Sequence, residues 1–158
     1  MSFELILALI GFAFATSITP GPNNLMLMAS GANFGFRRSV PHMLGISLGH
    51  MLMIVLVGLG ANAAPPKEGA AKGNPLTFLQ AALFQWVNPK AWFMALTATT
   101  VYAPDQSVAS IMVVAAVFAS TNLPSVSAWT FTGQQIRHLL TSEKRLRAFN
   151  WTMAALLV

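Results

Sequence analysis

The chain has 158 residues, of which 55% are hydrophobic and only 8% charged, and its mean hydropathy is +0.62. A soluble globular domain carries about 25% charged residues, so this composition excludes that class and points to a membrane protein. The net charge of +5 does not signal a nucleic-acid partner, because the cations gather in Arg37/Arg38 and Lys144/Arg145/Arg147 between uncharged stretches and form no basic face, and the lack of cysteine excludes disulfides and thiolate metal sites.

In chain order, the first four residues include an acid and no basic cluster, unlike a secretory signal, so the first apolar segment belongs to the mature fold. Residues 5–36 and 39–66 carry no charge, and each stretch exceeds the ~20 residues that a membrane helix needs. Residues 61–74 have the Pro, Gly and charge content of a surface loop. Residues 75–104 contain only Lys90 as a formal charge, and residues 106–136 contain none, although Asn122 and Pro124 interrupt that last stretch with a polar patch. A basic loop, 137–147, precedes an apolar segment at 148–158 that reaches only about halfway across. The expected class is all-α: a polytopic membrane protein of about five hydrophobic segments in one domain, 1–158. Its first repeat is 1–60, its loop 61–74 and its second repeat 75–158.

Loop charges add a constraint. With five crossings the Arg37/Arg38 and 137–147 clusters fall on opposite faces, against the cytoplasmic bias of Lys and Arg. One more crossing between Gly60 and Lys67 places every basic cluster on one side and Glu4 and Asp105 on the other. The chain therefore reads as an architecture built around a third span that it lacks; a longer re-entrant path by the 75–104 segment would rescue the count without it, and the alternative is that the charge rule fails here.

Two apolar segments are broken at matching places. Thr19-Pro20-Gly21-Pro22-Asn23-Asn24 interrupts the first, and Val87-Asn88-Pro89-Lys90-Ala91-Trp92 the one at 75–104, because proline lacks the donor a helix interior requires. Paired interruptions of this kind point to a transporter binding site, since unwound backbone is tolerated at membrane depth only where it lines a cavity or is buried in protein. The helices restarting at Pro22 and Pro89 would turn their N-terminal N–H groups toward an anion such as a carboxylate. Asn88 suits an N-cap, and Lys90 is the one formal charge inside a span. The expected substrate-binding set is Pro20, Gly21, Pro22, Asn23, Asn24, Asn88, Pro89, Lys90 and Asn122.

At these residues the chain resembles the LysE/RhtB amino-acid exporters. The resemblance rests on Ile18-Thr19-Pro20-Gly21-Pro22-Asn23-Asn24, on Gly35-Phe36-Arg37-Arg38-Ser39 leading into Leu44-Gly45-Ile46-Ser47-Leu48-Gly49, and on Phe84-Gln85-Trp86-Val87-Asn88-Pro89-Lys90-Ala91. It runs over nearly the whole chain and departs between Gly60 and Asn74, where the family's third hydrophobic segment is absent, and at the shortened sixth. The resemblance implies two inverted three-helix repeats and a multi-pass protein of the bacterial inner membrane. It also implies export of small amino acids or their derivatives, driven by the proton gradient or by exchange, with no cofactor. The partners implied are the amino-acid substrate and the lipid bilayer, with self-association as an open arrangement. The competing reading is a shortened, non-transporting remnant that associates with intact relatives. An enzyme is disfavoured, because intramembrane hydrolysis needs clustered metal ligands or paired Asp, and the chain has a single Asp.

Several other residues have their own expectations. Gly45 and Gly49, like Gly31 and Gly35, have the spacing of close helix packing. His42 is expected at the membrane interface near Arg38, and His50 in the bundle, most simply as a neutral histidine bonded to a carbonyl. Trp86 and Trp92 flank the second break as cavity-lining candidates.

Overall fold

Seven helices and no strand occur among the described residues, 1–60 and 75–157, of the computed structural model. α1 (Phe3–Ile18) starts at Ser2, whose hydroxyl accepts the Leu5 amide at 3.2 Å. It stops at Thr19 because a residue before proline is pushed out of helical geometry, here to ψ 145°. α2 (Pro22–Phe34) restarts with proline at its first position and is bent 51° from α1. Gly35, at φ +80°, makes the left-handed corner into α3 (Phe36–Gly58), so it serves as a joint rather than the packing residue expected from its spacing.

α4 (Phe78–Phe84) opens with a capping box between Thr77 and Gln80. α5 (Pro89–Tyr102) is capped by Asn88, and α6 (Val108–Arg137) by Ser107. α6 runs unbroken through Pro124, so the expected interruption of that segment does not occur. α7 (Glu143–Ala155) begins five residues before the apolar segment at 148, so Lys144, Arg145 and Arg147 decorate the start of a helix and not a loop. The expected loop at 61–74 lies outside the described residues.

α3 and α6 are each long and apolar enough to cross a membrane, and α1 with α2 make a third such unit across their bend. The chain is thus an all-α membrane protein. α7, at 13 residues, is only ~20 Å long.

Side-chain contacts fix the directions. α1 and α6 run together, since Phe12 meets the ring of Phe118, and Ser125 and Trp129 donate to the carbonyls of Ser17 and Ile18. α3 runs against α6: Gly58 packs on Ile111, Ser47 bonds Asn122, and the Phe36 amide bonds Gln134. α4 runs with α3, because Gly45 faces Phe78 and Ala81 while Gly49 faces Ala82. α5 continues in that sense, with the Ala91 backbone facing His50 and with Met94 and Ala98 in the same core cluster as Met53 and Ile54. The two broken pairs, α1/α2 and α4/α5, therefore point in opposite directions. Each long helix packs on the broken pair of the other half, α6 on α1 and α2, α3 on α4 and α5.

Arg37, Arg38 and Arg137 consequently share one end of the bundle, together with α7, which Asn33 and Asn150 tie to α2 through bonds of 2.7 and 3.0 Å. Gly60 and Leu76 lie toward opposite ends of α3. Gly58 sits beside Ile111 at the start of α6, whereas Leu76 packs with Met43 and Ile46. At the Gly60 end, the exposed Asp105 lies in the α5–α6 loop, where the hydroxyls of Ser107 and Ser110 hold its carboxyl below the usual carboxylate value.

Candidate functional site at the crossing of two broken helices

The ends of a broken helix leave carbonyls and amides without intrahelical partners, and each must find one. At the end of α1 the free acceptors are claimed by side chains from other helices. Asn24 of α2 donates to the carbonyls of Ser17 and Thr19, both at 2.8 Å. Ser125 and Trp129 of α6 donate to Ser17 and Ile18 at 2.8 and 3.0 Å. Lys90 of α5 sends its Nζ to the Thr19 carbonyl at 2.7 Å, the Thr19 hydroxyl at 3.0 Å and the Pro20 carbonyl at 3.4 Å. This lone charge within an apolar segment thus crosses from the second break to the carbonyl end of the first, where the helix dipole favours a cation.

A second link runs through amides. Asn23 donates to Gln85 at 2.8 Å, and Gln85 donates back at 3.2 Å and to the Ala81 carbonyl at 2.9 Å, all buried. Gly21 permits the Lys90 crossing, because a Cβ there would stand 2.7 Å from Lys90 Cδ. α2 has no side-chain cap on its N-terminus, while Asn88 Oδ1 takes the Lys90 amide of α5 at 3.1 Å.

Thr16, Ser17, Gly21, Asn23, Asn24, Lys90, Met94 and Asn122 surround a cavity of only about 10 Å³, room for about one water. Of the residues expected from sequence, Gly21, Asn23, Asn24, Lys90 and Asn122 line this space. Pro20 touches Lys90 through its carbonyl, Pro22 and Pro89 are the first residues of their helices, and Asn88 is buried as a cap. Asn122 is fixed by Ser47, whose hydroxyl donates to it at 2.9 Å.

Gln85, Ser17, Ser125 and Trp129 complete the arrangement and do not stand out in the sequence. Their signal is weak: lone polar residues in apolar runs, or a Trp readable as an interfacial anchor. Trp86 and Trp92 meet edge to face, with Trp92 donating to the Trp86 carbonyl at 2.7 Å, so they brace the second break rather than line the cavity. His42 departs from its expected interfacial place. It is 1% exposed and its Nδ1 lies 3.2 Å from the Ser30 hydroxyl, because α2 covers that face of α3 while Arg38 stays outside. His50 is equally buried, faces the Ala91 backbone and packs against the Phe118 ring; among the described residues neither of its ring nitrogens has a hydrogen bond of ordinary geometry.

No family model and no solved structure matches the chain. Among curated proteins it is similar to the cysteine/O-acetylserine efflux protein of Escherichia coli strain K12, at 25% identity over 189 aligned positions that cover 100% of this chain and 96% of the relative. The proteins of that name from Shigella sonnei strain Ss046 and Escherichia coli O9:H4 strain HS stand at the same identity and coverage. Because 189 aligned positions exceed the 158 residues of this chain by 31, the relatives carry residues inside the alignment that this chain does not have.

Proposed function

We propose that this chain is a bacterial inner-membrane exporter of small amino acids or their derivatives, of the LysE/RhtB type, and not an enzyme. The observation that carries this reading is the crossing of the two breaks: Lys90 of one on Thr19 and Pro20 of the other, beside the uncapped N-terminus of α2. That pairing of antiparallel broken helices belongs to transporters built from inverted repeats, here 1–60 and 75–158 about the segment 61–74. The full-length similarity to proteins named for cysteine and O-acetylserine efflux supports the substrate class.

The substrate carboxylate binds at the N-terminus of α2, where amides and the positive end of the dipole are free, with Lys90 as its countercharge. The end bearing Arg37, Arg38, Arg137 and α7 faces the cytoplasm. A cavity of about 10 Å³ is too small for an amino acid, so substrate binds a state in which the half-helices have drawn apart.

The test is efflux from living cells. Cells loaded with amino acids as dipeptides, with and without the chain, are compared for amino acids released, read by mass spectrometry. Faster release of cysteine, O-acetylserine or a similar small amino acid supports the reading. No release at confirmed membrane levels, alongside release from a control with a third span inserted after Gly60, overturns it in favour of a non-transporting remnant.

A further inference from the structure

We infer that the acceptor cluster now held by Lys90 is the binding site for the substrate's own ammonium group, so that substrate enters by exchanging one ammonium for another; the inference rests on the transport reading above. Three acceptors, the Thr19 carbonyl and hydroxyl and the Pro20 carbonyl, converge on Nζ at 2.7, 3.0 and 3.4 Å, matching the three donors of an ammonium. They stand at the negative end of α1, a preformed cation site. Thr19 and Pro20 are exposed, so a ligand reaches them without parting α1 from α6.

Two further features point to a ligand. Ser17 lines the same cavity and is only 3% exposed, and its Oγ has no hydrogen-bond partner among the described residues. Lys90 has no acid of its own near in sequence, since none lies between Glu68 and Asp105 or between Glu4 and Glu68. A zwitterion answers both, its ammonium having Ser17 Oγ beside it in the same cavity as a further acceptor. Its ammonium takes the Thr19 and Pro20 acceptors, the displaced Lys90 turns to its carboxylate, and the amides opening α2 complete the carboxylate site. The charge at the acceptors is unchanged by the exchange. A ligand without the ammonium cannot replace Lys90 at the acceptors, and one without the carboxylate leaves the displaced Lys90 without a countercharge.

The experiment uses the full chain in proteoliposomes, measuring counterflow of radiolabelled O-acetyl-L-serine, with N-acetyl-L-serine and L-serine methyl ester as competitors. O-acetylserine is expected to move, and both competitors to be weaker by ~100-fold or more. In Lys90→Met the acceptors stand free, so the methyl ester should raise the unfolding temperature of this variant and not of the wild type. Thr19→Val, which keeps the carbonyl and loses one acceptor, should weaken O-acetylserine and leave the poor N-acetylserine competition unchanged; it carries the test if Lys90→Met does not fold. Equal competition by N-acetylserine, or no stabilisation of Lys90→Met by the ester, overturns the inference. Should the wild type move no amino acid at all, the transport reading falls, while the ester's effect on the two unfolding temperatures still decides whether the ammonium site exists.

Discussion

The two broken helices look alike in sequence and are built in opposite ways. The second break closes on itself. Gln85, Trp86 and Val87 bond back to Ala82, Leu83 and Phe84, Trp92 takes the Trp86 carbonyl, and Asn88 caps α5. The first break satisfies itself only in part: Asn24 takes the Ser17 and Thr19 carbonyls, but Lys90, Ser125 and Trp129 must come from other helices, and the start of α2 is uncapped. One break is a rigid arm that presents Lys90, and the other is an open joint whose satisfaction can be exchanged. A binding site is served by both, because bonds supplied by other helices can be exchanged for a ligand's without unwinding the local turn.

The most damaging way to break this comparison is to part the seams that clamp each half. Gly133 of α6 lies against the Met28 backbone of α2, and Gly31 against Thr130, leaving no room for a Cβ. Gly133→Val should cost ~3 kcal/mol or more and empty the membrane of folded protein, measured by detergent-resistant fluorescence of a tagged chain. Gly49→Val, against Ala82, should act the same way on the α3–α4 seam. Gly11, where an added Cβ would meet nothing within 4 Å, is the control, and Gly11→Ala should gain about 0.5–1 kcal/mol.

Next in size is the loss of the crossing cation. Lys90→Ala should lower efflux by ~10- to 100-fold, the worth of a charge-assisted bond, while membrane level stays near normal. Gly21→Ala sharpens the point, because the nearest atoms to its new methyl group all belong to the flexible Lys90 side chain. It should reproduce part of the Lys90→Ala efflux defect with little change in stability. A Gly21→Ala protein with wild-type efflux would show that the Lys90 crossing is incidental.

How far these differences can be read from sequence depends on the kind of signal. Proline and asparagine act through the local backbone, so the breaks at Pro20–Pro22 and Asn88–Pro89, and the cap at Asn88, are legible. Pairings between helices are not legible. Gln85 meets Asn23 across 62 residues, and Ser125 meets Ser17 across 108, and no local period encodes such partners. His42 is misplaced by sequence reasoning on the same ground, since its burial is decided by α2 packing over it. Pro124 shows the converse: a strong local breaker overridden by packing along α6.

The amide pair between the breaks gives a smaller, graded test. Asn23→Ala strands the buried Gln85 amide and should cost about 1–2 kcal/mol in detergent unfolding, as should Gln85→Ala. The double variant Asn23→Ala/Gln85→Ala should cost clearly less than the two singles together, since each single already forfeits the shared bonds. Additive costs would mean that the breaks are held side by side by the glycine seams alone.

The smallest effect isolates the cap that only the second break possesses. Asn88→Ala removes the acceptor for the Lys90 amide and should cost about 1 kcal/mol, whereas Asn88→Asp keeps it and should cost less. Loosening the first turn of α5 also loosens the arm from which Lys90 reaches Thr19, so efflux should fall in Asn88→Ala by more than its stability loss explains. At the first break the same chemistry runs backwards. Gly21→Ser offers α2 a cap it lacks, and a hydroxyl bonded to the Asn23 or Asn24 amide competes for the donors a carboxylate needs. Stability should hold or rise while apparent substrate affinity falls, a split that a purely structural role for the first break would not produce.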